Sequence, residues 1–216
     1  MSENQELKKQ TKYVVDKLKK LYPDAYCELV YSTPAELLVA TVLSAQCTDV
    51  MVNRVTKGFF KKYKLPEEVA KLSQPEIEAE IKSIGLFRSK AKNVGALCRK
   101  LMSEYDGEVP DKLEQLIEFP GVGRKTANVV LGEIFNKPEG VVVDTHVKRL
   151  SKRLGLTESE NPVVVERELM QILPKKHWVQ FAHWMIFHGR KVCRAVNPHC
   201  GDCAFKRKCY YYNSLR

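Results

Sequence analysis

Apolar residues recur at three- and four-residue intervals along nearly the whole 216-residue chain, and alternating runs long enough for a strand are almost absent. Ile77, Ile81 and Ile84 fall at i, i+4 and i+7, with Glu76, Glu78, Glu80 and Lys82 on the other side, which predicts an amphipathic helix. Ser73 and Glu76 have the spacing of a capping box that starts it, and Gly85 is placed to end it. Further stripes run through Ala91, Val94, Leu97, Cys98, Leu101 and Met102, through Ala127, Val130, Leu131, Ile134 and Phe135, and through Trp178, Phe181, Met185 and Ile186. Pro34–Gln46 and Asp49–Tyr63 also read as helices. Asp111 with Glu114 predicts a second capping box ahead of Leu113, Leu116 and Ile117, and Asn161-Pro162 predicts an N-cap followed by Pro at the first helical position. Asp144 stands where it would cap a helix over Thr145–Leu154. Val141-Val142-Val143 is too short to imply a sheet. The expected fold class is all-α, with about ten helices joined by short turns.

The charge balance narrows the function classes. There are 36 Lys and Arg against 26 Asp and Glu, a formal net charge of +10, so a polyanion is the expected partner. A hydrophobic share of 44% supplies a core and excludes disorder as the main state. No run approaches the roughly 18 apolar residues of a membrane span, so no membrane partner is expected. Met1 to Lys12 is polar and has no apolar h-region, and a reducing, cytoplasmic compartment is therefore expected.

Seven cysteines then need an explanation other than disulfides. Cys27, Cys47 and Cys98 are scattered and read as small core residues. Cys193, Cys200, Cys203 and Cys209 crowd the C-terminal region with the spacing Cys-x6-Cys-x2-Cys-x5-Cys, the pattern of a metal site. Four thiolates suit either tetrahedral zinc or a cubane iron–sulfur cluster. Zinc sites usually show two close pairs and only Cys200 and Cys203 form one, yet the spacing is not the ferredoxin run either; on chemistry alone both metals stay open.

One segment carries a phosphate argument. In Phe119-Pro120-Gly121-Val122-Gly123-Arg124-Lys125-Thr126-Ala127, Pro120 ends one helix, two glycines permit a tight turn, and the next helix starts at once. Its first N–H groups point outward at the positive end of the helix, where a phosphate oxygen fits. A plain helix–turn–helix connection would read the same way. The four-residue spacing before Gly-Lys-Ser/Thr is missing, so this is not a P-loop.

This stretch resembles the helix–hairpin–helix of the endonuclease III family of DNA glycosylases, whose pattern Leu-Pro-Gly-Val-Gly-x-Lys-Thr-Ala differs only by Phe119 in place of Leu. Leu43-Ser44-Ala45-Gln46 is similar to the family's LSAQ segment and Val143-Asp144-Thr145-His146-Val147 to its VDTH segment, and His188-Gly189-Arg190 leads into the cysteines in the same way. The resemblance implies two helical lobes with a DNA cleft between them: residues 28–137 with the hairpin, and residues 1–27 plus 138–216 with the cluster loop. It implies a [4Fe–4S] cluster of structural role on Cys193, Cys200, Cys203 and Cys209. The implied partner is double-stranded DNA with damaged bases or abasic sites, bound by a monomer.

The resemblance also assigns roles. Lys125 falls on the family's amine and Asp144, nineteen residues later, on its carboxylate. Displacing a base from C1′ passes through oxocarbenium character, which a carboxylate steadies. An amine nucleophile gives a Schiff base whose C2′ proton is acidic, so β-elimination then cuts the strand. The amine must be neutral to attack, and a free lysine is neutral about once in 2,500 at pH 7. Without the resemblance, Lys125 reads as a solvated surface group and Asp144 as a plain cap. Gln46 and Leu86 match the residues that fill the gap left by an extruded base. Gly121, Val122 and Gly123 are the implied DNA contacts of the hairpin, and His146 is counted with them from its place beside Asp144. Oxidised pyrimidines are the implied substrate; another lesion preference, or a non-catalytic DNA-binding iron–sulfur protein, are the alternatives. One departure stands out: the first cysteine loop, Arg194 to His199, has only Arg194 as a firm cation, whereas Lys206-Arg207-Lys208 lies between Cys203 and Cys209.

Overall fold

The computed structural model describes residues 3–215, and among them it holds eleven α-helices and no strand, the all-α class that the apolar periodicity predicts. They gather into two compact units, Glu28–Glu139 and Met1–Cys27 with Gly140–Arg216. No helix among the described residues is long and apolar enough to cross a membrane.

The unit Glu28–Glu139 is built around α2 (Pro34–Leu43). Eight of its ten residues are buried, so it is apolar all round, as a helix enclosed by others must be. Thr33 caps it, its hydroxyl accepting from the Glu36 N–H at 3.2 Å. Helices α3 (Asp49–Lys62), α5 (Phe87–Glu104) and α7 (Arg124–Glu133) pack around α2, and α4 (Gln74–Ile81) packs on α3 and α5. The Ser73 capping box forms, with the Ser73 N–H donating to Glu76 Oε2 at 2.7 Å. These bonds from Ser73 hold the Glu76 carboxyl below the usual carboxylate range.

Three expectations are corrected in this unit. Helix α4 ends at Ile81, and the reversal expected at Gly85 is made by Leu86, at φ 58° and ψ 31°. Ile84 is drawn into the core, 1% exposed, so the chain turns after it rather than continuing the helix. Asp111 does not cap α6 (Leu113–Leu116); it pairs with Lys137, whose ammonium holds its carboxyl below the usual range. Cys47 is half-buried, not core, as is Cys27 in the other unit, whereas Cys98 on α5 is fully buried.

The second unit contains α1 (Glu3–Leu21), α8 (Thr145–Arg153), α9 (Pro162–Ile172), α10 (Trp178–Lys191) and α11 (Tyr210–Ser214). Val14, Leu18, Val147, Leu150, Leu169, Phe181, Met185 and Phe205 form its core. Asn161 caps α9 as expected, its side chain accepting from the Val163 N–H at 2.9 Å. Val141 is buried but pairs with no strand among the described residues.

Burial pushes the Cys98 thiol up to about 12. At pH 8 its thiolate fraction is then on the order of one in ten thousand. Native protein treated with iodoacetamide at pH 8 is expected to leave Cys98 unmodified by mass spectrometry while the half-buried Cys47 is alkylated. Equal labelling of both before denaturation would contradict this packing.

Candidate functional site

The hairpin begins where Phe119, 2% exposed, anchors the end of the turn after α6 and its carbonyl accepts from the Val122 N–H at 3.0 Å. Gly121 lies at φ +79°, a conformation that L side chains rarely adopt. A Cβ there would meet Asn93 Nδ2 at 2.8 Å and Val42 Cγ1 at 3.1 Å, so this glycine is required twice over. Val122 is 6% exposed and its N–H is already used within the turn. What the hairpin offers outward is therefore the backbone of Gly121 and Gly123 and the first turn of α7. Gly123 is the N-cap of α7, faces open space where a Cβ would be, and leaves the helix start without a side-chain cap. Lys125 is exposed in that first turn. Arg124 beside it is tied back, Nη2 donating to Glu139 O at 3.0 Å, and the buried Asn128 accepts from the Glu139 N–H at 3.0 Å. An uncapped helix start with a free-standing cation next to it is an anion site by its physics.

The same unit presents two side chains in strained turns. Gln46 sits at φ 53° in the turn after α2, where the Cys47 N–H donates to Ser44 O at 3.0 Å, and it is exposed. Leu86 sits at φ 58° and is 60% exposed. Large non-glycine residues rarely take this conformation, and strain of this kind costs about 1–3 kcal/mol at each site.

In the other unit, Asp144 is the N-cap of α8, Oδ1 accepting from the Val147 N–H at 2.7 Å. Oδ2 takes part in none of the hydrogen bonds of the described residues, so the cap fixes the carboxylate with one oxygen in reserve. His146 is half-buried: Nδ1 lies 3.1 Å from Arg149 Nη2, and a Cβ on Gly189 would meet Nδ1 at 2.5 Å. Its ring is thus wedged against α10 and held by Arg149.

Cys193, Cys200, Cys203 and Cys209 line one pocket together with Leu150, Leu154 and His188. Among the described residues, no three His, Cys, Asp or Glu side chains form a group that could hold a single metal ion. Burial raises the Cys203 and Cys209 thiols above the usual thiol range. Two arginines of α8 cage the first of the four. Arg149 Nη2 donates to Cys193 O at 3.0 Å and to Gly189 O at 3.3 Å. Arg153 Nη1 donates to Cys193 Sγ at 3.4 Å and to Arg194 O at 2.7 Å, and its guanidinium lies 4.3 Å from the Tyr211 ring centroid. Burial lowers His188 to about 4, so its ring is neutral. Tyr22 Oη lies 2.8 Å from its Nδ1 and Cys203 Sγ 3.5 Å from its Nε2, so both ring nitrogens are engaged. The run Lys206-Arg207-Lys208 is exposed. Arg149, Arg153, Tyr22 and His188 were not foreseen as supports of the cysteines; the only trace in the sequence is two arginines four apart after Asp144.

The predicted residues therefore fall into three groups: Gly121, Val122, Gly123 and Lys125 share the hairpin, Gln46 and Leu86 share its unit in turns of their own, and Asp144, His146 and the four cysteines belong to the other unit.

Known proteins carry the same features. Residues 39–175 match the model of the HhH-GPD superfamily base excision DNA repair proteins. The chain is 53% identical over 192 residues to endonuclease III of Synechocystis sp., covering 89% of this chain and 88% of that one. It is 48% identical to endonuclease III of Bacillus subtilis, covering 93% and 92%. A solved endonuclease III trapped as a covalent intermediate with DNA superposes with a TM-score of 0.92 at 47% identity, covering 97% of this chain and 99% of that one.

The left-handed backbone at Leu86 yields a stability prediction. Leu86→Gly relieves the strain, loses little packing from a side chain that is 60% exposed, and adds the unfolded-state entropy of glycine. The expected net is a gain of about 0.5–1 kcal/mol in urea unfolding. A loss of stability would mean that the turn is not strained.

Proposed function

Because the chain belongs to the endonuclease III family of HhH-GPD base excision DNA repair proteins, we propose that it removes oxidised pyrimidines from double-stranded DNA and cuts the strand at the abasic site, with Lys125 as nucleophile and Asp144 as its carboxylate. As a member of that family it is a base excision repair DNA glycosylase, and lyase chemistry is consistent with the family. The observation that carries the residue assignment is the exposed amine in the first turn of an uncapped helix, where backbone N–H groups can hold a DNA phosphate beside it.

The chemistry follows from these groups. Neutral Lys125 Nζ attacks C1′ as the glycosidic C1′–N bond breaks, and the base leaves with that electron pair and takes up a proton. The sugar ring opens as the C1′–O4′ bond breaks, O4′ gains a proton, and a Schiff base joins Nζ to C1′. Loss of the C2′ proton then drives out the 3′ phosphate, and water later frees the lysine. The ionised Asp144 steadies the positive charge at C1′ and takes the proton that Nζ sheds once its bond to C1′ has formed. Its hydrogen bond to Val147 N–H fixes where that charge sits. Gln46 and Leu86 fill the space left by the extruded nucleotide, and the strain in their turns keeps both side chains presented before DNA arrives. Gly121 and Gly123 contact the backbone phosphates through main-chain groups while Val122 props the hairpin from within. His146, two residues from Asp144 and held by Arg149, is counted with these DNA contacts.

Cys193, Cys200, Cys203 and Cys209 fit a [4Fe–4S] cluster: four thiols on one pocket, apolar walls, and an Arg153 N–H donating to the Cys193 sulfur. When bound, the cluster supplies cross-linking of residues 193–209, which presents the basic run Lys206-Arg207-Lys208 for phosphate contact.

Two experiments test these assignments. Borohydride with abasic-site DNA is expected to trap a covalent adduct in the wild type and none in Lys125→Gln; strand cutting that survives Lys125→Gln would overturn the Schiff-base route. Asp144→Asn keeps an oxygen for the Val147 N–H and should leave the melting temperature unchanged while slowing turnover by about 10²–10⁴-fold, whereas Asp144→Ala should also lose about 1 kcal/mol of stability. For the cofactor, protein purified without oxygen is expected to contain iron and no zinc, with broad visible absorption, and iron removal by chelation should lower the melting temperature. Stoichiometric zinc would replace the cluster assignment.

A further inference from the structure

Lys90, in the first turn of α5, is 4% exposed, and its Nζ has no hydrogen-bond partner. A buried amine without an acceptor carries the full desolvation cost of its charged form, which an incoming acceptor relieves. The residue is connected to both strained turns. Its backbone N–H donates to Leu86 O at 3.0 Å, and burial lowers its amine from the usual lysine range while Cys47, the neighbour of Gln46, raises it. Helices α2 and α5 pack on each other, and Val42 near the end of α2 and Asn93, three residues on from Lys90, flank the same point beside Gly121, so the turn that follows α2 lies by the start of α5. That turn holds Gln46 at φ 53°, an unfavourable state from which a small rearrangement can redirect a carbonyl.

We propose that Lys90 is a positioning residue for duplex opening: its ammonium takes a carbonyl oxygen of the Ser44–Cys47 turn when Gln46 enters the duplex, and so couples Gln46 and Leu86 into one wedge. The proposal rests on the reading of Gln46 and Leu86 as the gap-filling residues. It assigns Lys90 no contact with substrate, in keeping with the burial of its Nζ.

The test uses the full chain with its cofactor and the isosteric variant Lys90→Met. Two readouts separate positioning from folding. One is the fluorescence rise of 2-aminopurine placed opposite a reduced abasic site, which reports the unstacked orphan base. The other is the ratio of single-turnover strand cutting at an abasic site in a duplex to that in an unpaired bubble, where no gap has to be opened. Lys90→Met is expected to reduce the duplex-to-bubble ratio about tenfold and to abolish most of the fluorescence rise, with no fall in melting temperature. An unchanged ratio and signal, or equal losses on duplex and bubble, would overturn the proposal. If Lys90→Met does not fold, Lys90→Leu, which also lacks a donor, is read by the same two measurements and the same outcomes. A double variant, Gln46→Ala with Leu86→Ala, separates the failures. If the double variant leaves the ratio unchanged, the wedge reading itself is wrong and the role of Lys90 falls with it. If the double variant lowers the ratio and Lys90→Met does not, the wedge stands and only the Lys90 assignment fails.

Discussion

A missing Cβ governs the geometry of the hairpin. Gly121 lies at φ +79° with Asn93 and Val42 occupying the space that a side chain would need. Only with glycine there can the chain reverse against α2 and α5 and start α7 at once. The early start is what leaves the first turn of α7 without a side-chain cap and brings Lys125 to the surface beside it. A capped or displaced helix start would satisfy those N–H groups internally and remove the positive end that a phosphate can use. The hairpin is thus held rigid from inside, by Phe119 and Val122, and polar only on its outer face.

The second unit solves a different problem, which is to give four thiols a fixed frame. Helix α8 does most of this. Its N-cap is Asp144, and one and two turns further on Arg149 and Arg153 hold the carbonyls of Gly189, Cys193 and Arg194. The proposed carboxylate and the frame of the first cysteine therefore share one short helix. His188 completes the frame from α10, kept neutral by burial and oriented by Tyr22. A neutral ring engages Tyr22 and Cys203 without adding a charge inside the unit.

The two strained turns at Gln46 and Leu86 illustrate what local patterns miss. Gly85 is the residue that propensity places at a helix end, and it was expected to make the reversal; the chain instead buries Ile84 and turns at Leu86. A glycine was available one residue away, so a leucine held at positive φ and 60% exposed is not what stability alone would select. Asp111 failed as a predicted cap for a related reason. Its capping-box spacing was met, but Lys137 offered an ion pair across the turn, and long-range pairing outweighed the local motif.

The helical class follows from the sequence, because a 3.6-residue apolar period admits no other way to bury those faces, and so do the caps at Ser73, Asp144 and Asn161, which depend only on residues two or three positions apart. The hairpin and the cysteine spacing were legible for the same reason: each is a contiguous pattern. What only the tertiary structure decided is which polar groups lose their water. The burial of Lys90, the seating of His146 on Gly189 and the grip of Arg149 and Arg153 on the cysteine loop join residues far apart in the chain. Desolvation depends on everything packed around a group, and no local run of residues encodes it.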